Sequence, residues 1–271
     1  MTAGIWSRLR ALPAPVLVLV AVLTAVTLAP VLVPGDPLDQ HLHDALAAPG
    51  GGHLLGTDDF GRDVLLRLLS GTRTVVFAAL AVVAVSWTAG LLVGTAAGLA
   101  PRRIGGVLSG AISLVLGIPG IIVAIAIIGA LGPGVRNTML ALCLVGWAWY
   151  ARLAEQHAAQ LRRGRFVRAA RVAGAGTPRL LRDHVVPHVA RGLVVVACMD
   201  VGYVVLAMAA LGFMGLGAQQ PDPDLGLMLR DGQDFVLDAP WMLLAPSAMV
   251  LLVVLPFVAS GERAYEGGIQ V

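Results

Sequence analysis

Long apolar runs closed by turn formers or arginines recur along this 271-residue chain, and they constrain its fold more than any other feature. A helix needs about 20 mainly apolar residues to cross the roughly 30 Å hydrocarbon core of a bilayer. Six runs meet or approach that length: 14–33, 74–99, 107–131, 138–153, 193–216 and 241–260. The fourth is the shortest and is edged by aromatics. Only 13% of the residues are charged, against 58% hydrophobic. A charge facing lipid costs a few kcal/mol or more, so this scarcity suits a chain whose surface meets hydrocarbon. The expectation is an all-α integral membrane protein with six transmembrane helices, residues 1–271 forming one transmembrane domain. Arg8 and Arg10 precede the first run as in a secretory signal. That run is too long for one, and "VPGDP" is a poor cleavage site, so it is read as a retained span.

Orientation follows from the arginines, which supply all 19 basic residues because the chain has no lysine. With the N-terminus inside, the inner segments hold Arg8, Arg10, Arg102, Arg103 and the nine arginines of residues 152–191. The other side receives Arg136 and the loop 218–240, with five aspartates and one arginine. Segment 35–73 places Arg62, Arg67 and Arg73 outside, offset by Asp58, Asp59 and Asp63. Both termini are therefore expected in the cytoplasm.

Two inter-span segments carry more pattern than charge alone requires. In "RRGRFVRAARVAGAGTPRLLRDHVVPH", residues 162–188, Phe166, Val167, Ala170 and Val172 or Ala173 recur at helical spacing. Arg165, Arg168 and Arg171 form another stripe. Gly174 and Gly176 suit a helix stop, and Thr177–Pro178 suits an N-cap followed by proline at the first helical position. A second amphipathic helix then leads through Pro187 into the fifth run. Two short helices on a glycine turn, within a loop spanning 154–190, make a knob suited to a groove on a partner protein.

The second segment is "GTDDFGRD", 56–63. Thr57 or Asp58 is expected to cap a helix starting near Asp59, and Asp63 to pair with Arg67 one turn on. It reads either as an interfacial helix or as part of a docking surface.

At these residues the sequence resembles a family. Arg168-Ala169-Ala170, Gly174 and Val185-Val186-Pro187 are similar to the cytoplasmic EAA loop of permease subunits in binding-protein-dependent ABC importers, with Arg168 where the family usually has an acid. "HLLGTDDFGRDVLLRLLSGTRTVV", 53–76, and "GFMGLGAQQPDPDLGLMLRDG", 212–232, resemble signatures of the dipeptide, oligopeptide and nickel branch. The resemblance implies a subunit without bond chemistry of its own, paired with a second, related permease. It implies two cytoplasmic ATPases holding ATP and magnesium and docking on Phe166, Val167, Arg168, Ala169, Ala170, Gly174, Pro178 and Pro187. It further implies an extracytoplasmic binding protein received at Asp58, Asp59, Arg62, Asp63, Asp222 and Asp224. No cofactor is expected on this chain, and the absence of a phosphate-binding G-x-x-x-x-G-K-[ST] agrees with that. "GWAWYAR" and "MDVGYVVLAMAALGFMGLG" look more like the nickel-type members, so nickel or a metal chelate is favoured, with di- or oligopeptide as the alternative.

Asp200 stands inside the fifth run, with Tyr203 three positions on. An ionisable group at that depth faces either a translocation path or a partner. His41, His43 and His53 offer no further ligand at metal-binding spacing and are read as solvated loop residues, so no metal site is expected. Cys143 and Cys198, both in apolar runs, are read as buried thiols. A secondary transporter driven by an ion gradient is the competing class, and it requires more intramembrane charge than this sequence carries.

Overall fold

The computed structural model describes residues 33–163 and 185–268, with Ala21, Thr24, Ala25, Thr27 and Leu28. Seven α-helices are present among the described residues: α1 Val64–Leu99, α2 Arg102–Leu116, α3 Gly120–Leu131, α4 Val135–Arg163, α5 Val186–Phe213, α6 Leu225–Gln233 and α7 Trp241–Gly268. One 3₁₀ turn, Leu42–Asp44, precedes them. Two of the expected features, the first span and the 164–184 part of the cytoplasmic loop, lie largely or wholly outside the described residues.

Among the described residues three helices are long and apolar enough to cross a bilayer: α1, α5 and the Trp241–Glu262 part of α7. The third expected span is not one straight helix. It is split into α2 and α3, bent by 81°, and the sequence at the break is Gly117-Ile118-Pro119. Pro119 has no N–H to offer, and its ring opposes continuation of the preceding turn. Gly117 closes α2 by donating to the Ser113 carbonyl at 2.9 Å, and the Pro119 carbonyl accepts from Ile122 at 3.0 Å to open α3.

Other helices outrun their expected ends. α1 has 36 residues, about 54 Å at 1.5 Å per residue, and it begins ten residues before the expected Thr74. Arg67 falls within that extension and is tolerated because it is buried against a carboxylate. The 29-residue α4 likewise runs to Arg163. α4 is described to Arg163 and α5 from Val186, so both helices reach into the expected 154–190 segment.

The chain divides into two compact units. One comprises residues up to Leu80, Ile127–Met139 and Cys198 onward; the other comprises Ala81–Ala126 and Leu140–Ala197.

In the second unit, Gly90, Gly94 and Gly98 lie at intervals of four on α1, so they share one helix face. That face rests on Ala151, Ala154 and Ala158 of α4. A Cβ added at Gly94 would stand 2.1 Å from the Ala151 carbonyl oxygen, so the two backbones touch and any larger side chain would part them. Small residues let helices associate by close packing where lipid removes the hydrophobic drive. Ala97, Ile112 and Ala151 continue the core, with Val93, Leu108 and Trp147 against them.

In the first unit, α6 packs on α7. It buries Leu225, Leu227 and Met228 within a segment expected to be a plain acidic loop.

Candidate functional site

The segment before α1 folds around one carboxylate. Asp58 is buried, and its Oδ1 accepts from the amides of Phe60 and Arg62, each at 2.9 Å. Oδ2 accepts from Arg62 Nε at 2.7 Å and forms an ion pair with Arg67, whose Nε lies 3.3 Å away. Three hydrogen bonds and a second ion pair satisfy both oxygens, which is the condition under which a buried charge is tolerable. The turn needs Gly61, whose φ is +71°; a Cβ there would stand 1.8 Å from the His41 carbonyl oxygen.

The arginines carry this centre across to the motif after α5. Arg62 Nη1 donates to Gln220 Oε1 at 2.8 Å. Arg67 Nη1 donates to the carbonyls of Pro221 and Pro37, at 3.2 and 3.3 Å. Gln220 in turn donates to Asp231 Oδ2 at 2.6 Å. Trp241, the first residue of α7, donates its indole N–H to the Thr57 carbonyl at 3.1 Å. The Arg62 guanidinium also lies 4.6 Å from the centroid of the Phe60 ring. The two motifs read separately in the sequence are therefore one polar staple.

Beside it, Asp58, Asp59, Val64, Arg67, Met228, Asp231 and Met242 enclose about 10 Å³, room for roughly one water. Burial raises the Asp59 carboxyl above its ordinary range, and the neighbouring Asp58 raises it further. Burial and then Asp59 raise Asp231 in the same way.

Local expectations need revision here. The helix starts at Val64, not near Asp59, and neither Thr57 nor Asp58 caps it. Asp63 does, accepting from the Leu66 amide at 3.0 Å. The other Asp63 oxygen meets His53 Nδ1 at 2.8 Å, so the expected Asp63–Arg67 pair does not form and Arg67 turns to Asp58 instead. Thr57 ties the preceding loop together, its hydroxyl bonding to the Asp44 carbonyl and receiving the Ala47 amide.

Of the residues expected to receive a binding protein, Asp58, Arg62 and Asp224 are buried and shape the backbone of this surface. Asp224 caps α6 through the Leu227 amide at 3.0 Å, and burial raises its carboxyl. Asp59 and Asp63 are partly accessible and Asp222 is exposed. His53 and His41 line a cleft of about 290 Å³ with Asp36, Asp39 and Asp63. Among the described residues no three His, Cys, Asp or Glu side chains converge as metal ligands.

Asp200 lies midway along α5 and is partly accessible, and Tyr203 is 66% exposed. Pro187 lies at the start of α5 as described. Phe166, Val167, Arg168, Ala169, Ala170, Gly174 and Pro178 lie outside the described residues. Cys143 and Cys198 are both free thiols and partly buried.

Sequence reasoning missed Gln220, Asp231 and Trp241 as members of the staple. It also missed Arg152, which on α4 donates to Ser109 and Ser113 of α2 and to Glu155. The spacing of Gly90, Gly94 and Gly98 was a visible signal for close helix packing.

Residues 90–266 match the family described as "Binding-protein-dependent transport system inner membrane component". The "Di/tripeptide transport system permease protein DppC" of Pseudomonas aeruginosa (strain UCBPP-PA14) is 37% identical over 240 residues, 86% of this chain and 79% of that protein. The "Nickel transport system permease protein NikC" of Escherichia coli (strain K12) is 33% identical over 230 residues, 85% of this chain and 83% of that one. A chain of the MetNI methionine ABC transporter, solved in an inward-facing conformation, aligns with a TM-score of 0.61 at 18% identity. That alignment covers 75% of this chain and 96% of the other, and at such identity it speaks to fold alone. With an all-helical architecture, several apolar spans and relatives alike over most of their length, the chain belongs to the family of binding-protein-dependent transport system inner membrane components and is a multi-pass membrane protein.

Proposed function

We propose that this chain is one permease subunit of an ATP-driven importer of the dipeptide and nickel class, working with a second, related permease. The observation that carries the reading is the family match over residues 90–266, which includes the whole 164–184 segment and the long helices on either side. In this reading the chain spans the membrane six times with both ends in the cytoplasm. Residues 164–184 then lie inside the cell between the ends of α4 and α5. Two ATPase subunits dock there, on Phe166, Val167, Arg168, Ala169, Ala170 and Gly174, with Pro178 and Pro187 fixing the following helix. ATP and magnesium belong to those subunits, and this chain performs no bond chemistry. Closure of the ATPases moves the docked segments, and the long helices convert that motion into alternating access.

Asp200 and Tyr203 line the path between the two permeases. What supports this is an ionisable group halfway along a spanning helix, with the exposed Tyr203 three positions on, in a stretch that is otherwise apolar. Asp59, Asp63 and Asp222 give the outer surface its accessible acids for a binding protein, while the Asp58 centre keeps that surface in shape. Relatives named for di/tripeptide and for nickel transport stand close together in identity. The substrate is accordingly a short peptide or nickel, free or chelated, and the binding protein makes the selection.

The test is reconstitution of the complete complex in proteoliposomes, offered radiolabelled nickel and radiolabelled dialanine. ATP-dependent uptake of one of them is expected. Gly174→Leu should abolish uptake while leaving insertion intact, because the turn between the docking helices needs a residue that tolerates the left-handed conformation. Uptake by this chain alone, driven by an imposed ion gradient, would overturn the reading in favour of a secondary transporter.

A further inference from the structure

Arg152 occupies a position that the transport reading does not use. It lies on α4, 11 residues before that helix ends at Arg163. Its guanidinium is only about a quarter exposed. Nη1 donates to Glu155 Oε2 at 2.8 Å and to Ser109 Oγ at 3.3 Å, while Nη2 donates to Ser113 Oγ. The Ser113 hydroxyl donates a hydrogen bond to the Ser109 carbonyl at 2.8 Å, leaving its lone pairs free for the arginine. One planar fork thus grips two hydroxyls one turn apart on a neighbouring helix.

The energetics argue for register more than for stability. Ser109 and Ser113 stand about 10 and 16 Å along α2 from Arg102, at 1.5 Å per residue. At that depth a charge is costly, and a paired ion adds little over apolar packing. What the fork does supply is geometry. A slip of α2 by one residue would carry both hydroxyls to another helix face and break both bonds. The same surface of α4 is held to α1 by backbone contact at Gly94 and Gly98. Among the described residues no glycine of α2 approaches α4; the contact there is the apolar cluster of Ile112, Leu108 and Ala151, which is less directional than a hydrogen bond.

We propose that Arg152 is a positioning residue for transport: it locks α2, the first half of the bent helix pair, to α4, so that force entering at 164–184 moves α2 with α4. This rests on the proposed docking of the ATPases at 164–184.

The variant Ser109→Ala/Ser113→Ala tests it, because it removes the grip and leaves the Arg152–Glu155 pair intact. Arg152→Lys is the second variant, keeping the charge without the fork. Spin labels at Val107→Cys on α2 and Leu144→Cys on α4, in a Cys143→Ala/Cys198→Ala background, report the distance between the helices. Both sites are exposed. Measurements use the whole complex in nanodiscs, nucleotide-free and trapped with ATP and vanadate.

With the clamp intact the distance should keep one narrow distribution in both states. Either variant should add a second population on trapping. The amount of nickel or dialanine taken up per ATP should fall at least about fivefold, the low end of coupling between sites. Identical distributions in variant and parent would overturn the proposal, as would a parent distance that itself changes on trapping. Failure of the parent complex to import either solute would count against the proposed function, and the label distances would still decide the clamp.

Discussion

Replacing Asp58 by asparagine removes one charge and no volume, and it isolates what the polar staple contributes. The amides of Phe60 and Arg62 would keep an acceptor in the side-chain carbonyl. The amide nitrogen of asparagine, however, would face Arg62 Nε and Arg67 Nε, which now meet Oδ2 at 2.7 and 3.3 Å. Two nearly buried guanidinium groups would lose their counter-charge and confront a donor. Breaking a buried pair by removing one partner costs about 3–5 kcal/mol, because the remaining charge stays buried. The penalty falls on residues 44–64, whose loop is organised by this carboxylate, rather than on the apolar spans. Amide hydrogen exchange read by mass spectrometry over that segment should therefore accelerate from about a hundredfold to a few thousandfold, at 1.4 kcal/mol per decade. Asp222→Asn, at an exposed position, is the control and should change nothing measurable. Exchange in Asp58→Asn within a few-fold of the parent would refute the reasoning, since it would mean that the arginines find other partners at no cost.

Gly94→Leu should prevent recovery of folded protein in size-exclusion chromatography, because its Cβ would meet the Ala151 carbonyl at 2.1 Å; Gly106→Leu on α2, where nothing lies within 4 Å, should be tolerated. Asp59 and Asp231 give a pH dependence whose sign is set first by burial, then by repulsion of Asp59 by Asp58 and of Asp231 by Asp59. Their folded carboxyls lie above the ordinary 3.8, so folding takes up protons, and stability present below that value is lost as pH rises through the raised folded values. Protection factors over residues 225–233, corrected for intrinsic rate, should consequently increase on acidification from neutral. Asp231→Asn should flatten that profile while keeping an acceptor for Gln220. A profile unchanged by the substitution would place the pH dependence elsewhere.

The sequence was most informative where the physics is local. Apolar runs predicted helices, and α5 and α7 follow from length and composition alone; α7 begins at Trp241 as expected. The break between α2 and α3 was missed, because hydropathy treats 107–131 as one run, although Gly117 and Pro119 inside it are ordinary stop and start signals. α6 hid for a different reason. Its nine residues lie within an acid-rich stretch, and only the Asp224 cap followed by a short apolar face announces it. The staple could not be read at all. Arg62 finds Gln220 at a separation of 158 residues, and neither residue type signals the other along the chain. Asp63 shows the limit at short range. An i,i+4 pair with Arg67 was the local expectation, yet capping Leu66 and meeting His53 use both carboxylate oxygens, and Asp58 offers Arg67 a better-placed oxygen.

The two kinds of fastening found here answer to two solvents. Around Asp58 the partners are charged, and the bonds run between loop carbonyls, carboxylates and guanidinium forks, which suits a segment where water competes for every apolar contact and loop backbone must be satisfied. Between α1 and α4 the close contacts are made by Gly90, Gly94 and Gly98 against the backbone of α4 and the Cβ atoms of Tyr150, Ala154 and Ala158. Lipid gives little reward for burying leucine, so close backbone approach is what holds such helices together. Arg152 departs from this division, being a charged fork set beside the small-residue seam. Its partners are hydroxyls on the helix that leads into the Pro119 bend. A close-packed seam fixes two helices against separation but resists sliding weakly. A forked hydrogen bond resists sliding in particular, and a transporter that must move one half of a broken helix with its driver has use for that property.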